Sequence, residues 1–133
     1  MADELDDETL AFAHRMFELA RDGHADELAA QVDAGLPVNL TNDKGDTLLI
    51  LAAYHRHRDC VQALVARGAD LDRANDRGQT ALAAAVFRQD AGIVTLLLGA
   101  GASPAAGRPS ALETAEFFEL ADMASLLQKG PIG

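Results

Sequence analysis

Four histidines and one cysteine are the residues of this chain whose types invite chemistry: His14, His24, His55, His57 and Cys60. His55-x-His57 with Cys60 three residues on has the donor types of a transition-metal site, since imidazole and thiolate both bind zinc. Both histidines, however, fall in a short bend between two helical stretches, where a local structural role is the expectation. Cys60 sits where the surrounding pattern asks for an apolar residue, so it reads as core filler, and a single cysteine excludes an intramolecular disulfide. The acidic turns Asp43-Lys44-Gly45-Asp46 and Asp76-Arg77-Gly78 lack the ligand spacing of a calcium loop. No phosphate-binding loop, Gly-x-Ser-x-Gly elbow or dinucleotide glycine fingerprint is present. The side chains therefore predict neither a catalytic residue nor a cofactor, and His55, His57 and Cys60 stay open only as a metal or small-molecule alternative.

The elements that carry these residues repeat. Gly35, Gly68 and Gly101 are spaced by 33 residues, as are Gly45 and Gly78. Asn42/Asn75, Asp43/Asp76, Thr47/Thr80, Leu49/Leu82, Ala52/Ala85, Val61/Val94 and Leu64/Leu97 keep the same register. One period over many positions means a repeated structural unit. Each unit reads as two helices. Thr47 and Thr80 stand where a helix starts and can cap its free N–H groups. Ser110 with Glu113 forms a capping box, which predicts a helix near the C-terminus. Leu49, Leu51, Val61, Leu64 and Val65, with Leu82, Ile93, Val94, Leu97 and Leu98, recur at helical spacing as a continuous core. Ala52, Ala53, Ala84 and Ala85 are small enough for close helix approach. Gly45 and Gly78 follow Asn-Asp-Lys and Asn-Asp-Arg, a turn that tolerates positive φ. Gly68 and Gly101 end helices, where the left-handed conformation favours glycine.

Gly45-Asp-Thr-Leu-Leu-Ile-Leu-Ala-Ala and Gly78-Gln-Thr-Ala-Leu-Ala-Ala-Ala, each followed by a second helix ending in Gly-Ala, resemble the ankyrin repeat with its G-x-T-P-L-H-x-A-A and L-L-x-x-G-A patterns. The resemblance covers nearly the whole chain. Ala20–Gly35 looks like an N-terminal cap. Ser110–Ala115 with Leu126-Leu127-Gln-Lys-Gly130 looks like a degenerate last unit with a one-residue shortening between its halves. It implies an all-α solenoid of helix-turn-helix units with β-turn loops, a single domain over residues 1–133. Its four repeats, two of them caps, span about 10–41, 42–74, 75–107 and 108–130. In this reading His24 and His57 match the family's Gly-His position at the second helix. Several residues depart from the pattern. The usual Pro is Leu48 and Ala81, and the usual His is Ile50 and Ala83. The interhelical glycine is Arg56 and Gln89. Because that His ties neighbouring turns together, looser turns are expected.

The 133 residues carry a net charge of −10, unevenly placed. Residues 1–33 hold ten acids against Arg15 and Arg21, whereas residues 34–88 hold seven bases against six acids. A phosphate backbone needs a net basic face, which disfavours nucleic acid as a partner. The acidic start reads as a solubilising cap or as a feature that steers a basic partner. No apolar run approaches the ~18 residues of a membrane span, and the acidic N-terminus does not read as a secretory signal. The expected setting is cytoplasmic. A composition rich in alanine, arginine and aspartate and poor in lysine points to a GC-rich bacterial source.

The family resemblance implies a non-enzymatic protein that binds another protein through a concave face of turn tips and first-helix edges. The tips are Thr41, Asp43, Lys44 and Asp46, then Ala74, Asp76, Arg77 and Gln79. The edges are Arg21-Asp22, Tyr54-His55, Phe87-Arg88 and Phe117-Phe118-Glu119. Tyr54, Phe87 and Phe117 are expected to align as an aromatic column flanked by His55, Arg88 and Phe118. Four of the six aromatic residues fall in this group, and aromatic and arginine anchors dominate interface energetics. An adaptor or regulator is the leading expectation. The alternatives are an inhibitor or immunity-like protein that blocks a basic enzyme or toxin, and an accessory protein in oxidative-stress defence. A monomer is expected, with weak self-association through the Leu96 and Ala100 region left open.

Overall fold

Thr47, Thr80 and Ser110 each begin a helix for the same reason: the hydroxyl accepts a backbone N–H three residues on, from Ile50, Ala83 and Glu113 at 3.0–3.1 Å. Glu113 completes the capping box by accepting the Ser110 N–H at 2.9 Å. In the computed structural model, which describes residues 7–129, these caps open α3 (Leu48–Tyr54), α5 (Ala81–Phe87) and α7 (Ala111–Phe117). Each has seven residues. Helices this short do not hold in isolation and depend on packing. Packing is what they have, for Leu48–Ala53 and Ala81–Val86 are buried without a break.

Each short helix pairs with an outer one. α4 (Arg58–Ala66), α6 (Ala91–Ala100) and α8 (Ala121–Lys129) follow α3, α5 and α7, while α1 (Asp7–Asp22) pairs with α2 (Ala25–Asp33). α1 has 16 residues, more than twice the length of the other inner helices. The inner row packs α1 on α3, α3 on α5 and α5 on α7; the outer row runs α2, α4, α6, α8. Ala52, Ala53, Ala84 and Ala85 are fully buried, and Leu64, Leu97 and Leu127 lie in one core with Ala52, Ala53 and Ala85. Val65, expected in that core, packs at its edge and is half-buried. Truncating a residue such as Leu64 would cost about 2–5 kcal/mol.

The bend between the two helices of a unit takes a left-handed residue in all four units: Gly23 (φ 81°), Arg56 (65°), Gln89 (57°) and Glu119 (55°). The departures from glycine at Arg56 and Gln89 thus leave the backbone path unchanged, at a strain of about 1 kcal/mol or more per residue. The same register overturns one expectation. Leu127, not Leu126, stands seventeen residues after its cap as Leu64 and Leu97 do, and it is 4% exposed. The last unit therefore carries no deletion between its helices. Its shortening lies before α7, because the caps Thr47, Thr80 and Ser110 are spaced by 33 and then 30 residues. Aligning on Gly130 misplaced the gap, since a helix must keep its buried face against the core whatever follows its end.

Among the described residues no helix is long and apolar enough to cross a membrane. Residues 1–6, the start of the acidic segment, and Gly130 lie outside the described residues.

Candidate functional site

The turns preceding α3 and α5 are built by two asparagines. Asn42 Oδ1 accepts from the Lys44 and Asp46 N–H groups at 2.9 and 3.0 Å. Asn75 Oδ1 accepts from Arg77 and Gln79, both at 3.0 Å. Each turn is thereby held by its own side chain, leaving the second turn's amide free to bond backwards. Asn75 Nδ2 donates to Asp46 Oδ1 at 2.8 Å within a buried pair. The backbone ties successive turns as well, Asp76 N–H to Lys44 O at 3.0 Å and Arg108 N–H to Gly78 O at 2.8 Å. This approach needs glycine: a Cβ at Gly78, where φ is 82°, would collide with the Arg108 carbonyl. The turns lack the family's usual histidine yet remain tied, through Asn75 and Asp46 instead. Asp46, expected as an exposed contact, is a buried structural carboxylate at 8% exposure.

The aromatic column exists, with one change of member. The Tyr54 and Phe87 rings stack at 6.3 Å with 13° between planes. Phe87 then meets Phe118 edge-on at 5.4 Å. Among the described rings Phe117 meets Phe118 alone, at 4.9 Å, and it is 77% exposed. The residues after α5 and α7 each reach back over the ring that ends the preceding inner helix. Arg88 does so to Tyr54, its guanidinium carbon 5.1 Å from the ring centroid and its Nη1 donating to the Tyr54 carbonyl at 2.8 Å. Phe118 does the same to Phe87. Phe117 matches Tyr54 and Phe87 in register, but among the described residues its ring contact is with Phe118 alone. Phe87 and Phe118 remain 41% and 49% exposed.

These rings form the floor of a trough of three joined clefts. The first, about 470 Å³, gathers Arg21, Asp43, Lys44, Asp46, Tyr54, His55, Arg77 and Gln79. The second, about 300 Å³, shares Tyr54, Arg77 and Gln79 with it and adds Phe87, Pro109 and Thr114. The third, about 450 Å³, shares Pro109 and Thr114 and adds Glu113, Glu116, Phe117 and Phe118. Asp76 is exposed on its turn but lines none of the three, and Ala74 is exposed outside them. Thr41 lies instead in a cleft of about 740 Å³ between α1 and the first turn, with Leu10, Phe17 and Leu40, which adjoins the first cleft through Arg21, Asn42 and Asp43. Glu113, Glu116, Pro109 and Thr114 were not foreseen as lining residues. Glu113 read only as a cap, and nothing in a linear motif places Pro109 in one cleft with Phe87.

The histidines divide by position. His57 Nε2 donates to the Arg21 carbonyl at 2.6 Å across two units, and a Cβ at Gly23 would strike its ring. His55 lies against Tyr54, ring centroids 5.2 Å apart. Partial burial, reinforced by His57, Arg21 and Arg88 and opposed by Asp22, holds its pKa below the ordinary histidine value and so disfavours its charged form. Cys60 is fully buried, and burial with the neighbouring Asp59 pushes its thiol up to about 11. Among the described residues no three metal-donor side chains come together. The Leu96 and Ala100 region of α6 is mixed, Leu96 half-buried against the core and Ala100 exposed.

On the outer row, Arg67 grips Asp33 with both arms of its guanidinium, at 2.9 and 3.1 Å. That pairing lowers the Asp33 pKa. Arg56 meets Asp90 at 3.3 Å between the next two units.

The family described as ankyrin repeats (3 copies) matches residues 16–107. An ankyrin repeat protein of Pseudomonas aeruginosa is 54% identical over 54 residues, 41% of this chain and 32% of the relative. The match therefore spans about a third of that relative's length.

Proposed function

Because this chain belongs to the ankyrin-repeat family, whose repeats generally mediate protein–protein interaction, we propose that it is a non-enzymatic adaptor or regulator that holds a partner protein in the trough floored by Tyr54, Phe87 and Phe118. One observation carries the reading. Four of the chain's six aromatic rings stand in mutual contact on one face, three of them at least 41% exposed. A soluble fold gains by covering such rings, and large exposed aromatic clusters mark interaction surfaces. Asp43, Lys44, His55, Arg77, Gln79 and Arg88 form a polar rim around them, the arrangement expected of an interface core and its edge. The bacterial relative and the composition support a bacterial source, and a cytoplasmic setting is part of the proposal. A pull-down from native lysate tests the reading by comparing wild type with a folded Tyr54→Ala/Phe87→Ala double variant. A protein retained by wild type and lost by the variant supports it. Equal retention by both moves the site off this face.

Phe87→Ala is also the point at which binding and stability separate. The ring is partly exposed and makes two aromatic contacts, so its loss costs about 1–2 kcal/mol of stability. As a central interface ring it would carry ~2 kcal/mol or more of binding, roughly a 30-fold loss of affinity. A melting temperature that falls steeply while partner affinity stays unchanged would show these rings to be core only.

A further inference from the structure

The chain's net charge of −10 would nominate a basic partner, but the trough is charged differently from the chain. Its first cleft is lined by Arg21, Lys44 and Arg77 against Asp43 and Asp46. Asp46 is already committed to Asn75, and partial burial disfavours the charged form of His55. The three cationic side chains make no hydrogen bond or ion pair among the described residues. Asp22 beside His55 and Asp76 on its turn stand outside this lining. Arg88 lies over the Tyr54 ring and donates to the Tyr54 carbonyl, and like Asp22 and Asp76 it lines none of the three clefts. The third cleft is lined by Glu113 and Glu116 with no base, one Glu113 oxygen already accepting the Ser110 N–H. Between the two ends lies the ring floor, with steps of 6.3 and 5.4 Å. These steps match the interval at which a linear segment presents same-face side chains, roughly 6–7 Å along a strand and 5–6 Å along a helix.

We propose that the trough takes a linear peptide segment of a partner protein with a set charge order: a carboxylate side chain at the Lys44–Arg77 end, apolar side chains over Tyr54, Phe87 and Phe118, and a basic side chain at the Glu113–Glu116 end. This rests on the reading that the trough is the binding face, and it adds the chemistry and direction of what binds. The carboxylate meets free cations that need no rearrangement, and the rings supply apolar contact where the polar rim is thinnest. A segment basic at both ends would set like charges together at the first cleft, which costs both affinity and on-rate.

The test is selection of peptides from a random dodecamer library displayed on phage against the intact chain, followed by anisotropy titration of labelled selected peptides. The expected result is enrichment of sequences acidic at one end, apolar in the middle and basic at the other. Their affinity should fall ~10-fold or more in Phe87→Ala and in Lys44→Glu/Arg77→Glu, and it should fall with added salt in wild type. The salt series needs no variant, so it reads the charge contribution even if the double reversal unfolds. Selected peptides that lose affinity in Phe87→Ala but ignore both charge reversal and salt overturn the charge order and leave the binding face standing. Peptides indifferent to all three changes overturn both. Failure to enrich any peptide overturns the linear segment. A dimer in sedimentation that Phe87→Ala dissolves replaces the peptide with a second copy of this chain.

Discussion

Asn75→Ala removes the side chain that ties the second turn to the first, and its cost can be worked out bond by bond. The amide donates to the Asp46 carboxylate at 2.8 Å, a bond to a charged group worth about 1.5–3 kcal/mol. Its carbonyl accepts from the Arg77 and Gln79 N–H groups, and those two neutral bonds are each worth about 0.5–1.5 kcal/mol, the lower value where water can replace the lost partner. Arg77 is exposed and Gln79 half-buried, so water takes over part of that loss. The Asp46 N–H keeps its bond to Asn42, but the buried Asp46 carboxylate loses its cross-turn donor. The total is about 3 kcal/mol. With an unfolding entropy near 2.1 cal/mol/K per residue, a 133-residue chain loses about 3–4 °C per kcal/mol, so the melting temperature should drop by about 10 °C. The control is Asn42→Ala, which removes two comparable turn bonds and no cross-turn bond. It should cost about 1–2 kcal/mol. Thermal denaturation by circular dichroism reads both. If Asn75→Ala costs no more than Asn42→Ala, the bond between turns contributes nothing, and the account of how this array replaces its missing histidines is wrong.

Gln89→Gly should raise the melting temperature, because φ of 57° strains any residue with a Cβ. Relief of strain exceeds the added chain entropy by about 0.5–1 kcal/mol, or about 2–4 °C, and a fall would show that the glutamine side chain has an overriding role. Cys60 in the native chain should resist a thiol reagent at pH 8, since it is buried and its thiol is pushed up to about 11. Labelling should follow the global unfolding rate, and rapid native labelling would contradict that burial. His55, whose pKa is lowered chiefly by burial, disfavours its charged form in the folded chain. Stability is therefore complete above the ordinary histidine value of about 6.5 and declines as pH falls through it toward the lower folded value. His55→Gln should flatten that part of the pH–melting curve, and an unchanged slope would remove His55 as its source.

The asparagine turns, the threonine caps and the helix-ending glycines were legible as single residues, because each acts on backbone within four positions of itself. The Ser110–Glu113 box was legible for the same reason. The last unit was misread because Gly130 resembles a helix-ending glycine, while Leu127 shows its register only when packed against Leu97 and its neighbours. Tyr54 and Phe87 could be matched by the repeat. That Phe118, not Phe117, completes the ring contact depends on which side chain of one unit reaches back over the unit before it, a relation between units that no linear spacing contains.

The sequence by itself determined the repeat, its helix starts and the apolar stripe that makes the stack, since those are consequences of period and local backbone chemistry. Only the tertiary structure decided that Asp46 is a buried partner of Asn75 and that His57 bonds the Arg21 carbonyl. It also decided that cations and acids gather at opposite ends of one trough. Each of these depends on residues about thirty or more positions apart, and their meeting is set by how one unit is laid against the next.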